Sequence, residues 1–214
     1  MAEYEQKNSL KVHDWHCFAC TIRADGVAHG ALLSIHFQKF QFHGVWNLTA
    51  VMISDIELTP GAFWGAIGMR AAGVAIVTAE GGDGPAGFLA LSATHLTASP
   101  PTMTVSIDGR TSALEAVRES RAFAINFLNS DAGEIYERFT SRDGPKGAER
   151  FQDLDYTRLT TGAPVFSQVT GALDCRLEEA IERFGTVLAI GRIVNLVSNK
   201  EASPMIHYQG KLVA

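Results

Sequence analysis

The sequence has little cysteine, no long apolar run and no surplus of positive charge. Cys17, Cys20 and Cys175 are the only thiols in 214 residues. An odd, small number gives no disulfide framework, so the expected compartment is the reducing cytoplasm. Nowhere do about 18 apolar residues follow one another, so no helical membrane span is expected. The N-terminus mixes acids and lysines without an uninterrupted apolar stretch, so no signal peptide is expected. Lys and Arg number 18 against 23 Asp and Glu, a net charge of -5. Binders of nucleic acid or anionic membranes need clustered cations, and no basic run is present. A phosphorylated small molecule stays open as a ligand, because one phosphate needs only a local pocket.

What is present is a globular profile, 46% hydrophobic and 19% charged, long enough for one domain with a core. The composition changes near Met52. Residues 1–51 hold five of the seven histidines, two of the three cysteines and two of the three tryptophans. Their apolar residues follow neither a strand nor a helix period. They are read as an N-terminal extension, poorly ordered or foreign to the rest, and residues 52–214 as the working domain. Within the extension, His13, His16, Cys17 and Cys20 are of zinc-ligand type. No second C-x-x-C or H-x-x-x-H completes a closed site, and no metal is assigned.

From Met52 the pattern becomes regular. Thr59-Pro60 reads as a helix start, opening a helix over Gly61–Ala71. Gly73–Glu80 and Phe88–Ala93 read as strands around a turn at Gly81–Gly84, where Asp83-Gly84 is a hairpin signal. Ser99-Pro100-Pro101 breaks the chain before a strand at Thr102–Asp108. An amphipathic helix at Thr111–Ser120, a strand at Ala122–Leu128 and a helix at Asp131–Phe139 follow. Residues 141–162 are loop-like. Gly171–Ile181 and Gly185–Val197 are long β runs, and Pro204–Gln209 is a short last strand.

Gly82-Asp83-Gly84-Pro85-Ala86-Gly87 fits G-x-G-x-x-G, the fingerprint of a Rossmann dinucleotide site. Two features oppose it. Asp83-Gly84 suits a hairpin better than a helix entry. The two late β runs adjoin with no helix between them, which favours an antiparallel meander over a βαβ unit.

Residues 60–212 resemble the flavin reductase-like family, the reductase components of two-component flavin monooxygenases. The likeness rests on an ordered series of segments: FWGAIGMRAAGVAIVT at Phe63–Thr78, GFLALSATHLTASPP at Gly87–Pro101, VSIDGRTSAL at Val105–Leu114 and FAINFL at Phe123–Leu128. Glu137-Arg138-Phe139, Gly162-Ala163-Pro164, Leu173-Asp174-Cys175, Gly185–Ile193 and Ile206–Lys211 complete it. The resemblance implies a mainly β fold, a six-stranded antiparallel Greek-key split barrel with flanking helices. It also implies a homodimer with flavin sites near the interface. The implied activity is reduction of FMN or FAD by NADH or NADPH, with reduced flavin passed to a partner oxygenase.

The resemblance implies the site residues as well. Ala90-Leu91-Ser92 would lie along the flavin, Ser106-Ile107-Asp108 would line the isoalloxazine, and Arg110-Thr111-Ser112 would hold the ribityl phosphate. Thr111 and Ser112 open a helix, whose free N–H groups favour an anion, and Arg110 offers a charged fork. Ordinary helix capping explains the same two residues. Asn126 has two readings, a flavin contact or a tie between strands. Phe139 likewise packs on flavin or belongs to the core. Gly185 belongs to the family's late G-D-H or G-T-H motif, whose nicotinamide-placing His is Val187 here. Leu89 and Leu91 stand where relatives carry Thr, Ser or Asn, and Leu212 where they carry an aromatic. His95 is read as structural or solvent-facing, and Cys175 as buried packing. Flavin binding without reductase turnover is the alternative function.

Overall fold

A computed structural model describes residues 57–213. The N-terminal extension and the His13–Cys20 cluster lie outside the described residues. Helix α1 (Pro60–Ile67) starts as its sequence predicts. The Thr59 hydroxyl accepts from Ala62 N at 3.2 Å, and Pro60 occupies the first turn, where no N–H is needed. It ends at Gly68, short of the predicted Ala71. None of its residues is buried.

Among the described residues, twelve strands follow in three sheets, and every pairing is antiparallel. They are β1 (Ala72–Gly73), β2 (Ala75–Gly81), β3 (Gly84–Ala90), β4 (Thr94–Ala98), β5 (Pro101–Asp108), β6 (Ala122–Leu128), β7 (Tyr156–Arg158), β8 (Pro164–Phe166), β9 (Val169–Arg183), β10 (Thr186–Ser198), β11 (Ile206–Tyr208) and β12 (Lys211–Val213). Helix α2 (Ala113–Ser120) joins β5 to β6, and α3 (Gly133–Thr140) follows β6.

The main sheet has seven strands, in the order β3-β2-β6-β9-β10-β5-β4. This corrects the expectation of a six-stranded barrel on both counts. Six of the strands do share one core: alternate residues of β2, β3, β5, β6, β9 and β10 pack with Leu114 and Val117 of α2. The seventh, β4, has no buried residue, so it carries no apolar alternation for a sequence to display. The sheet is also not closed, because β3 and β4 are its two edges and do not pair. Along β3, the Gly87 carbonyl accepts from Arg150 Nη1 at 3.5 Å. A side chain from the 3-10 turn at Gly147–Phe151 thus meets this edge strand where a closing strand would be needed.

The second face of β2 and β6 buries Ile76 and Leu128 against α3, together with Val74 just before β2, and Phe139, Phe151 and Phe166 cluster beside them. The Gly82–Gly87 fingerprint lies in the β2–β3 hairpin, with Gly81 opposite Gly84. No helix begins there, so the Rossmann alternative falls. The predicted pairing of the two late β runs is present as β9 with β10.

Candidate functional site

The end of β3, the end of β5 and the start of α2 come together. Ser92 Oγ accepts from Ser106 N and donates to Ser106 O, both at 3.3 Å. This clamps the chain after β3 onto β5. Along β5 the pleat alternates: Ser106 and Asp108 face out, while Ile107 is fully buried. Residues paired across strands share a face. Leu188 opposite Ser106, and Thr186 opposite Asp108, therefore extend the same outer surface.

The β9–β10 hairpin closes one side of this strip. Its two turn residues, Phe184 and Gly185, both have positive φ, 53° and 73°. That is the primed geometry which matches strand twist, and glycine is at home in it. Gly109 N donates to Gly185 O at 2.9 Å. A Cβ on Gly109 would lie 2.8 Å from that oxygen, so only glycine permits the approach.

The turn Asp108–Ser112 then delivers α2. Thr111 N donates to Asp108 O at 2.9 Å. Ser112 sits at the N-cap, yet its side chain makes no capping bond. Among the described residues, neither the Thr111 nor the Ser112 hydroxyl has an intrachain partner. The capping explanation is thus absent from the geometry, and two hydroxyls stand free beside the open N–H groups of a helix start. Arg110 behaves differently from its expected role. Its guanidinium is bound back onto Asp108, with Nη2 2.7 Å from Oδ2 and Nε 3.0 Å from Oδ1. These hydrogen bonds hold the Asp108 carboxyl down at about 2.

At the other end of the strip, a cavity of about 250 Å³ adjoins Ala90 and Leu91. Gly73, Ala93, Phe127 and Arg70 complete most of its wall, and Arg70 Nη2 donates to Leu91 O at 2.9 Å. Sequence reasoning missed Arg70, whose bond to a backbone carbonyl leaves no pattern in the chain.

Asn126 and Phe139 stand apart from the strip. Asn126 is fully buried and spends its amide on Ile76 O, Thr78 Oγ1 and Pro164 O, while its oxygen accepts from Phe166 N at 2.9 Å. Phe139 is core, edge-on to Phe151 and Phe166. Val187 is 2% exposed and packs in the main core with Ile107, so its side chain also points away. Cys175 is buried, and burial followed by the neighbouring Asp174 charge pushes its thiol up to about 12.

A family model described as "Flavin reductase like domain" matches residues 68–214. The chain belongs to the flavin reductase-like family. Among its relatives in that family, FMN reductase (NADH) RutF 2 of Rhizobium rhizogenes is 33% identical over 138 residues, covering 64% of this chain and 78% of the relative. The reductase subunit HsaB of a flavin-dependent monooxygenase from Rhodococcus jostii is 27% identical over 154 residues, covering 72% and 77%. The solved NADH:FAD oxidoreductase of Streptomyces globisporus C-1027 superposes with a TM-score of 0.68 at 21% identity, covering 74% of this chain and 95% of that one. At that identity the likeness carries the fold alone. No helix among the described residues is long and apolar enough to cross a membrane.

Proposed function

We propose that this protein is an NAD(P)H-dependent flavin reductase, which reduces FMN or FAD and supplies it to a partner monooxygenase. The observation that carries the reading is the start of α2, where Thr111 and Ser112 keep unspent hydroxyls beside open helix N–H groups. Membership of a flavin reductase-like family supports the flavin phosphate as the ligand of that corner. The isoalloxazine then runs along Ala90-Leu91-Ser92 and Ser106-Ile107-Asp108. Ile107 contributes backbone only, since its side chain is buried. Gly185 supports the corner through its carbonyl, and Asn126 and Phe139 support the scaffold.

Bound flavin supplies the hydride-accepting centre; the protein supplies binding, orientation and polarity. No acid–base pair is required of the chain. Asp108 is the carboxylate on the strip, and with its carboxyl held at about 2 it stays ionised near neutrality. Val187 in the core is compatible with turnover, because nicotinamide placement falls to outward groups such as Thr186 and Leu188. The proposal includes a homodimer. Exposed Phe63, Trp64 and Ile67 on α1 are the apolar surface that supports it.

The test is direct. The purified chain is given FMN or FAD with NADH or NADPH, and nicotinamide absorbance is followed beside flavin fluorescence. Flavin-dependent oxidation of a nicotinamide supports the reading. Quenching without oxidation would make the protein a flavin binder that lacks turnover. Light scattering on the same sample tests the dimer, and a particle of one chain's mass contradicts it.

A further inference from the structure

We propose that Arg70 is the cation that holds the negative charge of the reduced flavin; this rests on the reductase reading above. Among the described residues, Arg70 is the one charged side chain on the wall of the cavity of about 250 Å³ at the β3 end of the strip. No ion pair among the described residues includes it. Among the described residues its guanidinium makes one hydrogen bond, to Leu91 O at 2.9 Å, which ties it to the Leu91 end of the strip and uses one of five N–H donors. The Leu91 side chain offers no donor of its own. Arg70 therefore brings back to this end a polar function that residue 91 lacks.

The two ends of the strip differ in chemistry. The α2 end takes the phosphate, so the ring extends toward Arg70. An isoalloxazine has a carbonyl-bearing pyrimidine end and a dimethylbenzene end. A guanidinium on that wall suits the carbonyls and not the methyl groups. Hydride transfer breaks the nicotinamide C4–H bond and forms the flavin N5–H bond. Both electrons move with the hydride, the nicotinamide becomes cationic, and the new negative charge spreads over N1 and the C2 carbonyl. A guanidinium beside that edge interacts more strongly with the reduced than with the oxidised ring, which is the condition for favouring the reaction.

The experiment compares wild type with Arg70→Gln and Arg70→Lys. Dissociation constants are measured anaerobically for oxidised and for chemically reduced FMN, together with the reduction potential of bound FMN. The Gln variant is expected to lose affinity for reduced FMN about tenfold more than for oxidised FMN, a potential lower by about 30 mV for a two-electron couple. The Lys variant is expected to keep most of the difference. Equal weakening of both redox states, or none, overturns the role of Arg70 and leaves the reductase reading standing. A wild-type chain that binds FMN in neither state overturns both.

Discussion

The Arg110 guanidinium closes on Asp108 with Nη2 2.7 Å from Oδ2, so the cation two residues before the α2 N-cap is engaged by its own turn. Both side chains are exposed, and such pairs are weak and screened by salt. Their value lies in what they withhold from an incoming phosphate. Replacing Asp108 by Asn removes one negative charge and releases the guanidinium. Binding of FMN is expected to tighten by about fivefold at low ionic strength, and by more than that of riboflavin, which meets Asp108 through its ring but lacks the phosphate. Parallel fluorescence titrations of the two ligands check this. Equal changes for both would detach the α2 corner from phosphate.

The same pair makes a statement about pH. The Asp108 carboxyl lies at about 2, below its ordinary 3.8, because of its hydrogen bonds to Arg110. A depressed folded value means that the stabilisation is present above the unfolded value and is lost as pH falls through about 2. From about pH 5 to about pH 8 this group does not change charge. The pH profile of turnover over that range is therefore expected to be the same in wild type and Asp108→Asn. A break present only in the wild type would show that Asp108 titrates during the reaction.

Asn126 is a structural tie. Truncation to Ala strands the Phe166 N–H and removes the amide donor to Ile76 O and Pro164 O inside the core. The expected loss of stability is about 3 kcal/mol, read by denaturant unfolding. Flavin affinity of the folded fraction is expected to stay as it was. A selective loss of flavin binding with unchanged stability would return Asn126 to the site.

Phe184 is fully exposed and adopts φ 53°, a region where a bulky residue is strained. Asn is favoured at the first position of a primed two-residue turn. Phe184→Asn is expected to stabilise the protein by about 1 kcal/mol, seen as a higher melting temperature. A lower one would mean that the ring has a partner in solution.

Val187 tests the late motif. Introducing His there puts an imidazole among Ile107, Ala189 and Val105. The expected result is a loss of about 2 to 3 kcal/mol of stability with no gain in nicotinamide use, measured by thermal unfolding and by the KM for NADH. A lowered KM would place residue 187 at the site after all.

Much of the scaffold was legible because local and tertiary forces agree. β6 is legible at its true limits, since an apolar run fills Ala122–Leu128 between Arg121, which is left-handed, and the polar Asn129. α1 was legible at its start, where Thr59 and Pro60 act locally, and less so at its end, where its exposed residues give no periodic stop. β4 was illegible because pairing to β5 holds it while none of its side chains is buried. Thr111 and Ser112 could be named from sequence as either caps or ligand groups. Only the absence of a capping bond separates these. Val187 was aligned by motif spacing, but its pairing with buried Ile107 decides which way it faces. Arg70 could not be found at all, because its partner is a carbonyl 21 residues away.

The most direct test of flavin reduction at this site is an anaerobic mix of the full chain, FMN and NADH, watching the loss of oxidised flavin colour. Substitution of Thr111 and Ser112 by Ala together is the comparison. Bleaching is expected to require the protein, with a KM for FMN raised about tenfold in the double variant and kcat little changed. Absence of bleaching under either nicotinamide nucleotide, or an unchanged KM in the variant, would contradict it.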